Sequence, residues 1–225
     1  MQSQYRAKIN LNIYDSPECK SLATQAAAGR YLRILSESSP QEHNSVVEVV
    51  CCEDSYGGWV RSQNLHKEYL EPAAQPYQAM LLSRVEIAAR LPQVIEFTQE
   101  AKSTPNQYLW GGTVAPDYDC SGLMQAAFAA TGIWLPRDAY QQDNFTERVA
   151  WEFLQAGDLV FFGTPEKIDH VGLYLGAGQY IHSSGVTAGR NGIAIDLLQG
   201  AGDDIARSLC QRLQGFGRVM RSWEP

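Results

Sequence analysis

The sequence predicts an α+β domain preceded by a small all-β barrel. Residues 1–72 consist of short segments rich in β-branched and aromatic residues, with turn sequences between them. Residues 73–225 begin with helical spacing and end in a run of strands, the order typical of an α+β domain. Between the two regions, Glu71-Pro-Ala-Ala-Gln-Pro76 holds two prolines, which interrupt both helix and strand pairing. We therefore predict a domain boundary after residue 72.

The barrel is predicted from several short strands at close spacing. The strands are expected at residues 7–14, 30–37, 46–52 and 58–61. Turn residues lie between them, as in Asp15-Ser-Pro17, Ser38-Ser-Pro40 and Tyr56-Gly-Gly58. Such a pattern is typical of a small closed sheet.

The second region begins with residues 77–102, where Pro92 predicts two helices rather than one. The predicted buried face consists of Leu81, Val85, Ala88 and Ala89, followed by Val94, Ile95 and Phe97. A helix of small residues over 120–130 is expected to end at Gly132, a residue suited to a C-terminal cap. Strands are predicted at 158–162, 171–175, 180–183, 192–195 and 216–220, with a helix over 203–213.

Composition excludes several classes of function. The chain has 225 residues, 44% of them hydrophobic, and a net charge of −7 without a cluster of Lys or Arg, so a nucleic-acid surface is not expected. No apolar stretch approaches membrane-spanning length, and residues 1–8 lack the hydrophobic segment of a secretory signal. The five cysteines are irregularly spaced and indicate reduced thiols. We expect a cytoplasmic monomer that has neither a membrane nor a nucleic acid as partner.

Cys120 is the candidate nucleophile. It follows Asp119, a good N-cap residue, and opens the helix predicted over 120–130. Backbone N–H groups and the positive end of the helix dipole favour a thiolate at such a position. The alternative is that Cys120 is a small buried residue, the commoner fate of a free cysteine.

Two of the four histidines lie in the second domain, on neighbouring predicted strands. The connection Gly176-Ala-Gly178 is short, so the strands should pair antiparallel and bring His170 and His182 to the same end of a hairpin. His170 would then act as a base and His182 would orient it. Two purely structural histidines are the alternative. A zinc site made with Cys120 is less favoured, because zinc signatures keep two ligands within a few residues, and no metal or cofactor is expected.

Six motifs occur in the order seen in the NlpC-type cysteine peptidases, which this chain resembles over residues 91–221. They are Tyr108-Leu-Trp-Gly-Gly112, Asp119-Cys-Ser-Gly-Leu123, Leu135-Pro-Arg-Asp138, Ala156-Gly-Asp-Leu159, His170-Val-Gly-Leu-Tyr174 and His182-Ser-Ser-Gly185. The resemblance implies a papain-like α+β fold. The preceding region resembles a bacterial SH3-like barrel, most clearly at Asp54-Ser-Tyr-Gly-Gly-Trp59.

The resemblance implies a role for each matched residue. Cys120 would be the nucleophile, His170 the base, His182 its orienting partner, and Tyr108 a donor to the oxyanion. The residues implied in substrate binding are Tyr56, Trp110, Asp119, Ser121, Arg137 and Asp138, with Asp119 and Tyr56 recognising a free amine. Many relatives have Ser where this chain has Ala139, so one hydrogen bond to the substrate is expected to be missing or supplied elsewhere. No acid of the barrel can be matched to the substrate amine.

The architecture is similar to that of the γ-D-glutamyl-L-diamino acid endopeptidases of murein peptide recycling. The implied substrate is a murein tripeptide or tetrapeptide with a free N-terminal L-Ala, cut before meso-diaminopimelate or L-Lys. A secreted wall-lytic endopeptidase that uses the barrel as a wall-binding module is the second hypothesis. A catalytically silent sensor of wall peptides and an acyl-transfer enzyme on the same scaffold also stay open.

Overall fold

The computed structural model of the protein describes residues 3–35, 45–199 and 202–225. The first region is a single antiparallel sheet with the strand order β3-β2-β6-β5-β4-β1-β7. Its core is formed by alternating inward side chains such as Ile13, Leu32, Val49 and Val60. The strands are β1 (Gln4–Ala7), β2 (Leu11–Tyr14), β3 (Leu22–Ala26), β4 (Tyr31–Ile34), β5 (Val46–Cys51), β6 (Gly57–Arg61) and β7 (Leu70–Pro72), with a 3₁₀ turn at Ser62–Leu65.

Two strand predictions in this region are corrected. Residues 7–14 form two strands rather than one, because the chain bends between β1 and β2, where the Asn10 side chain accepts a hydrogen bond from the Ala28 N–H at 2.9 Å. Strand β3 was not predicted, since its sequence, Leu-Ala-Thr-Gln-Ala, has low β-propensity. The predicted 30–37 strand is observed as β4, and its last two predicted residues and the 38–40 turn lie outside the described residues.

The predicted pair of helices is also corrected. A single helix, α1 (Arg84–Ser103), runs through Pro92. Pro92 and Ala88 both face solvent, so water can satisfy the Ala88 carbonyl that the proline leaves without a partner. The first part of the predicted face was wrong, because Leu81 and Val85 are 72% and 78% exposed and Ile87 and Leu91 are buried instead. The second part is confirmed, since Val94 is buried and Ile95 and Phe97 pack against the core.

The helix begins where a capping box places it. Ser83 accepts from the Glu86 N–H at 3.4 Å, and the Glu86 carboxylate accepts from the Ser83 N–H at 2.8 Å. This Ser-x-x-Glu pattern is readable in the sequence and would have given the correct start.

The second region is built on an antiparallel sheet with the strand order β10-β15-β11-β12-β13-β14. Helices α1 and α2 cover one face around Leu123, Phe128 and Val171, and α4 covers the other around Phe162 and Tyr180. The elements are β8 (Thr113–Val114), β9 (Asp117–Tyr118), α2 (Cys120–Ala129), α3 (Ala139–Phe145), β10 (Glu147–Val149), β11 (Leu159–Thr164), β12 (Lys167–Gly176), β13 (Gln179–Ser184), β14 (Gly192–Leu197), α4 (Asp204–Gln211) and β15 (Leu213–Arg218), with 3₁₀ turns at Trp151–Phe153 and Val186–Ala188.

The two regions meet through buried polar contacts. The Arg137 Nε donates to Thr24 Oγ1 at 3.0 Å, and the Gln125 amide donates to Asp54 Oδ2 at 2.9 Å. At Gly111 (φ +78°) the two backbones touch, since a Cβ there would lie 2.5 Å from the carbonyl oxygen of Leu22. The barrel therefore packs directly against the loop that precedes Cys120. In the parts of the chain that the structure describes, no helix combines the length and apolarity that a bilayer crossing requires.

Candidate active site

Cys120 occupies the first position of α2, as the sequence predicted. The N-cap Asp119 accepts from the Gly122 N–H at 2.6 Å and so fixes the first turn. Strands β12 and β13 pair from Leu173 and Ile181 onward, but no pairing between them is found at His170, so the two strands are separated there. The first turn of α2 lies at this separation. The Cys120 Sγ lies in this opening, 4.0 Å from the Asp169 carbonyl oxygen.

Burial of Cys120 opposes the thiolate that its place at a helix N-terminus favours. Burial raises the pKa of Cys120 to about 12, and the Asp119 charge acts in the same direction. The backbone N–H groups of Val171 and Ser121 oppose this increase but do not overcome it. The sulfur therefore needs a base at the moment of reaction.

His170 and His182 meet as the hairpin predicted. The His170 Nε2 lies 2.8 Å from the His182 Nδ1, with the two rings nearly perpendicular at 88°. Burial lowers the pKa of His170 well below 6.5, and His182 and Arg212 add to the effect, so the ring is neutral and able to accept a proton. In the described part of the chain, the Cys120 sulfur is hydrogen-bonded to backbone groups of Asp169, Val171 and Ser121, and no hydrogen bond joins it to an imidazole. Proton transfer between the two stays a prediction.

The histidine pair continues into a carboxylate that the sequence analysis missed. The His182 Nε2 lies 2.9 Å from Asp196 Oδ2, and Asp196 is also paired with Arg190. Asp196 stands in β14, in the run Ile193-Ala-Ile-Asp196, where a buried acid among apolar residues is unusual. That interruption of an apolar strand was the available signal.

Tyr108 is half-buried close to the nucleophile. Burial raises the pKa of Tyr108, and negative charge at Cys120 and Asp119 raises it further. Its ring also packs near Gly185, where a Cβ would be 3.4 Å from Tyr108 Cδ1. A protonated phenol beside the sulfur is a hydrogen-bond donor at the place where an oxyanion would form.

Three of the predicted substrate residues are buried and bonded to one another. The Arg137 guanidinium contacts both oxygens of Asp119, at 3.1 and 2.5 Å, and donates to Ser121 Oγ at 2.9 Å. Asp119 also accepts from the N–H groups of Gly111 and Gly122. The hydrogen-bonding capacity of Asp119 is thus largely used inside the protein.

Tyr56 and Asp138 are placed differently. The Tyr56 hydroxyl donates to Asp138 Oδ1 at 3.3 Å across the two regions, and both residues remain partly exposed. Burial raises the pKa of the Asp138 carboxyl, although Arg137 and the Tyr56 hydrogen bond act to lower it. Trp110, also predicted to line the cleft, is 68% exposed one residue before Gly111. Ala139 is buried at the start of α3.

Within the described residues, no three His, Cys, Asp or Glu side chains are arranged to hold a metal ion. A recess of about 470 Å³ lies behind α2, between Ala27 of the barrel and Ala126 and Ala129 of the helix. Neither Cys120 nor the two histidines line it. The chemistry-bearing residues therefore sit elsewhere, around the N-terminus of α2.

Residues 105–202 match the NlpC/P60 family. The chain carries an NlpC/P60 domain. Residues 13–65 match the bacterial dipeptidyl-peptidase Sh3 domain, so the predicted family resemblance of both regions is confirmed. The predicted boundary after residue 72 falls between the two matched stretches.

Curated relatives match the NlpC/P60 domain but are much longer. A probable endopeptidase p60 of Listeria seeligeri is 41% identical over 112 residues, which cover 50% of this chain and 19% of that protein. The gamma-D-glutamyl-L-lysine dipeptidyl-peptidase of Bacillus subtilis is 46% identical over 79 residues, or 34% of this chain and 27% of that protein. The chain thus matches about a fifth to a quarter of the length of these relatives.

A solved structure extends the likeness over both regions. The crystal structure of an NlpC/P60 family protein from Bacillus cereus superimposes with a TM-score of 0.50 at 23% identity, covering 97% of this chain and 64% of that one. The likeness confirms the predicted fold, an α+β domain of NlpC type preceded by an SH3-like region.

Proposed function

We propose that the chain is a cysteine peptidase that hydrolyses the γ-D-glutamyl–L-diamino acid bond of short murein peptides with a free N-terminal L-Ala. The observation that carries the proposal is the pair formed by Tyr56 and Asp138 at the junction of the two regions. The pair leaves a partly exposed carboxylate next to Arg137, which donates to Ser121 in the turn of Cys120, and this carboxylate would pair with the ammonium group of a short peptide.

Asp138 is the acid we assign to that ammonium. Asp119 is already saturated by Arg137 and two backbone N–H groups. The barrel acids at the junction are used too, since Glu53 and Asp54 both pair with Arg30. The substrate amine would therefore bind to the partly exposed carboxylate of Asp138, beside the Tyr56 hydroxyl.

Acylation begins with transfer of the Cys120 proton to neutral His170. The sulfur attacks the γ-carbonyl carbon of D-Glu, and the carbonyl electrons move onto oxygen, where Tyr108 and the backbone N–H at Cys120 donate hydrogen bonds. As the tetrahedral intermediate collapses, the C–N bond breaks and His170 gives its proton to the leaving amine of the diamino acid. A thioester on Cys120 remains.

Deacylation repeats the sequence with water. His170 takes a proton from the water as its oxygen attacks the thioester, and the C–S bond breaks on collapse. The sulfur leaves as thiolate and recovers the proton from His170, which releases L-Ala-γ-D-Glu. No oxidant or cofactor is required by this sequence of steps.

The barrel determines the length of substrate in this proposal. It contributes Tyr56 to the cleft and, through the Thr24–Arg137 contact, braces the residues beneath the nucleophile. A cleft closed at this end accepts a peptide with a free amine and leaves no room for an attached glycan. We propose in addition that the protein is a cytoplasmic monomer that recycles trimmed tripeptides or tetrapeptides, for which the five free cysteines, as expected in a reducing compartment, are the supporting observation.

The test compares L-Ala-γ-D-Glu-meso-diaminopimelate with its N-acetylated form, using the wild type and Cys120→Ala. We expect cleavage of the free peptide, at least tenfold slower cleavage of the acetylated one, and none by the variant. The L-Lys peptide, assayed in parallel, defines the preferred diamino acid. Equal cleavage of both forms would reject the closed cleft and favour a wall-lytic endopeptidase. Cleavage of neither would reject the proposed peptidase activity.

A further inference from the structure

We propose that Asp196 is a positioning residue that sets the tautomers of both histidines and so makes Nδ1 of His170 the basic nitrogen. The inference rests on the proposed function for its catalytic meaning, although the tautomers themselves do not depend on it. Asp196 lies in β14, outside the six motifs of the sequence analysis but within the stretch that matches the NlpC/P60 family.

Asp196 is held as a charged acceptor. Arg190 donates to both of its oxygens, through Nε to Oδ2 at 3.2 Å and through Nη2 to Oδ1. Arg190 is in turn held by Asp203, at 2.6 and 3.0 Å. Although burial acts to raise it, the bonds from His182 and Arg190 keep the pKa of Asp196 below its ordinary value. An ionised carboxylate has no proton to donate.

This fixes the first histidine. The His182 Nε2 lies 2.9 Å from Asp196 Oδ2, so Nε2 must carry the proton that the contact needs. His182 is fully buried, and we take its ring in the neutral form. In the neutral ring only one nitrogen is protonated, so Nδ1 is left as an acceptor.

The second histidine follows from the first. The His170 Nε2 lies 2.8 Å from this His182 Nδ1. Two unprotonated nitrogens at that distance would repel, so Nε2 of His170 carries the proton. Neutral His170 then has its lone pair on Nδ1, the nitrogen that takes the thiol proton in the proposed reaction.

The same chain of hydrogen bonds stabilises the charged intermediate. When His170 gains a proton on Nδ1, its Nε2–H remains bonded to His182, whose Nε2–H remains bonded to the Asp196 carboxylate. The positive ring is thus linked to a fixed negative charge by two hydrogen bonds, without another proton having to move. Arg190 limits this effect by sharing the carboxylate.

Replacing Asp196 with asparagine removes the constraint. The amide group of Asn can donate to His182 Nε2, which allows the tautomer protonated at Nδ1. His182 would then donate to His170 Nε2, and the proton of His170 would move to Nδ1. In that arrangement His170 is no longer a base at the required atom, as in other hydrolases whose orienting carboxylate is replaced by an amide.

The decisive measurement is nitrogen-15 NMR of the histidine rings of the wild type near neutral pH, where protonated and unprotonated ring nitrogens are well separated. The signals are assigned with His43→Gln and His66→Gln variants. We expect His170 and His182 both to be protonated at Nε2 only. A proton on Nδ1 of either ring in the resting protein would overturn the proposal, whether or not any peptide is cleaved.

Kinetics of three variants measure the consequence. Asp196→Asn should lower kcat on the order of 10²–10⁴-fold with little change in KM, as expected when an orienting carboxylate is lost. Asp196→Glu should restore part of the rate, since it keeps an acceptor. The matched control is Asp204→Asn, which removes a 97% exposed carboxylate paired with Arg207 and should leave kcat unchanged. An Asp196→Asn enzyme with wild-type kcat would overturn the proposal.

Discussion

The two sides of Cys120 both end in an aspartate bonded to an arginine, but they use the pair differently. On the barrel side, both oxygens of Asp119 accept hydrogen bonds from Arg137 and from backbone N–H groups, and Arg137 also donates to Thr24 in the barrel. On the histidine side, Asp196 shares one oxygen between Arg190 and His182. The first pair holds the two regions together, whereas the second ends the chain of hydrogen bonds that runs through the two histidines.

This difference separates stability from catalysis. A buried pair that is saturated by hydrogen bonds contributes mainly to structure, and removing one partner leaves an uncompensated charge. A carboxylate with one bond to an imidazole also determines the state of that ring. We therefore expect variants on the barrel side to change folding and substrate binding, and those on the histidine side to change kcat.

The largest loss of activity should come from Cys120, which lies between the barrel side and the histidine side. Cys120→Ala removes the nucleophile, and kcat should fall by more than about 10⁴-fold. Binding of the free peptide, measured by calorimetry, should persist, since Asp138 and Tyr56 are unchanged. Residual activity near the wild-type rate would show that another group performs the chemistry.

On the barrel side, Arg137→Met should lower the free energy of unfolding by about 3–5 kcal/mol, because it leaves Asp119 charged and buried. Arg137 is only 2% exposed. Arg207→Met is the control, since both side chains of its pair with Asp204 are exposed, 53% and 97%, and the expected loss is about 1 kcal/mol or less. Denaturant unfolding measures both. Equal losses would contradict the structural role given to Arg137.

The reactivity of the free enzyme tests whether Cys120 is already deprotonated before substrate binds. With the pKa of Cys120 raised to about 12, iodoacetamide should react on the order of 100-fold more slowly than with an ordinary cysteine at neutral pH. The rate should still be rising at pH values well above the ordinary thiol pKa. Mass spectrometry of the Cys120 peptide against the exposed-thiol standard glutathione gives the comparison. A rate that levels off near neutrality would indicate a preformed thiolate.

Substrate recognition on the barrel side should show in KM. Asp138→Asn removes the charge proposed to bind the ammonium and should raise KM about tenfold or more, equivalent to about 1.4 kcal/mol, with a smaller change in kcat. The acetylated peptide has no ammonium and should be insensitive to the substitution. If kcat falls while KM is unchanged, Asp138 belongs with the catalytic side instead.

The smallest effect concerns pH. The neutral form of His170 is the active one, and its pKa is lowered from 6.5 by burial, then by His182 and Arg212. Activity should therefore persist as the pH falls through 6.5 and decline only at lower values. Arg212→Met removes one lowering charge, so the acidic limb of kcat/KM should move to higher pH by a fraction of a unit. A shift to lower pH would contradict this assignment.

Motif spacing predicted the parts of the site that depend on local structure. Cys120 was expected at the start of a helix, and His170 and His182 on a hairpin, because N-cap chemistry and short turns act over a few residues. Asp196 and Thr24 were missed, because their roles depend on pairings across the sheet and between the two regions.

The fold shows the same division. The strand pattern correctly predicted the α+β order and most of the sheet. Pro92, however, predicted two helices, whereas the packed protein has a single helix that runs through Pro92. The burial of Cys120, which raises the pKa of its thiol, was also missed, since a helix N-terminus is a local feature and burial is not. Short-range chemistry is visible in a sequence, whereas burial and long-range partners require the folded chain.

The contact at Gly111 has a consequence for the evolution of the two regions. Because a Cβ at Gly111 would meet the backbone carbonyl oxygen of Leu22, a side chain at position 111 cannot be accommodated by repacking its neighbours. Arg137 and Thr24 add a second fixed point nearby. A recombination event that exchanged the barrel for an unrelated one would disturb the loop beside the nucleophile, so the two regions are expected to be inherited and engineered as one unit.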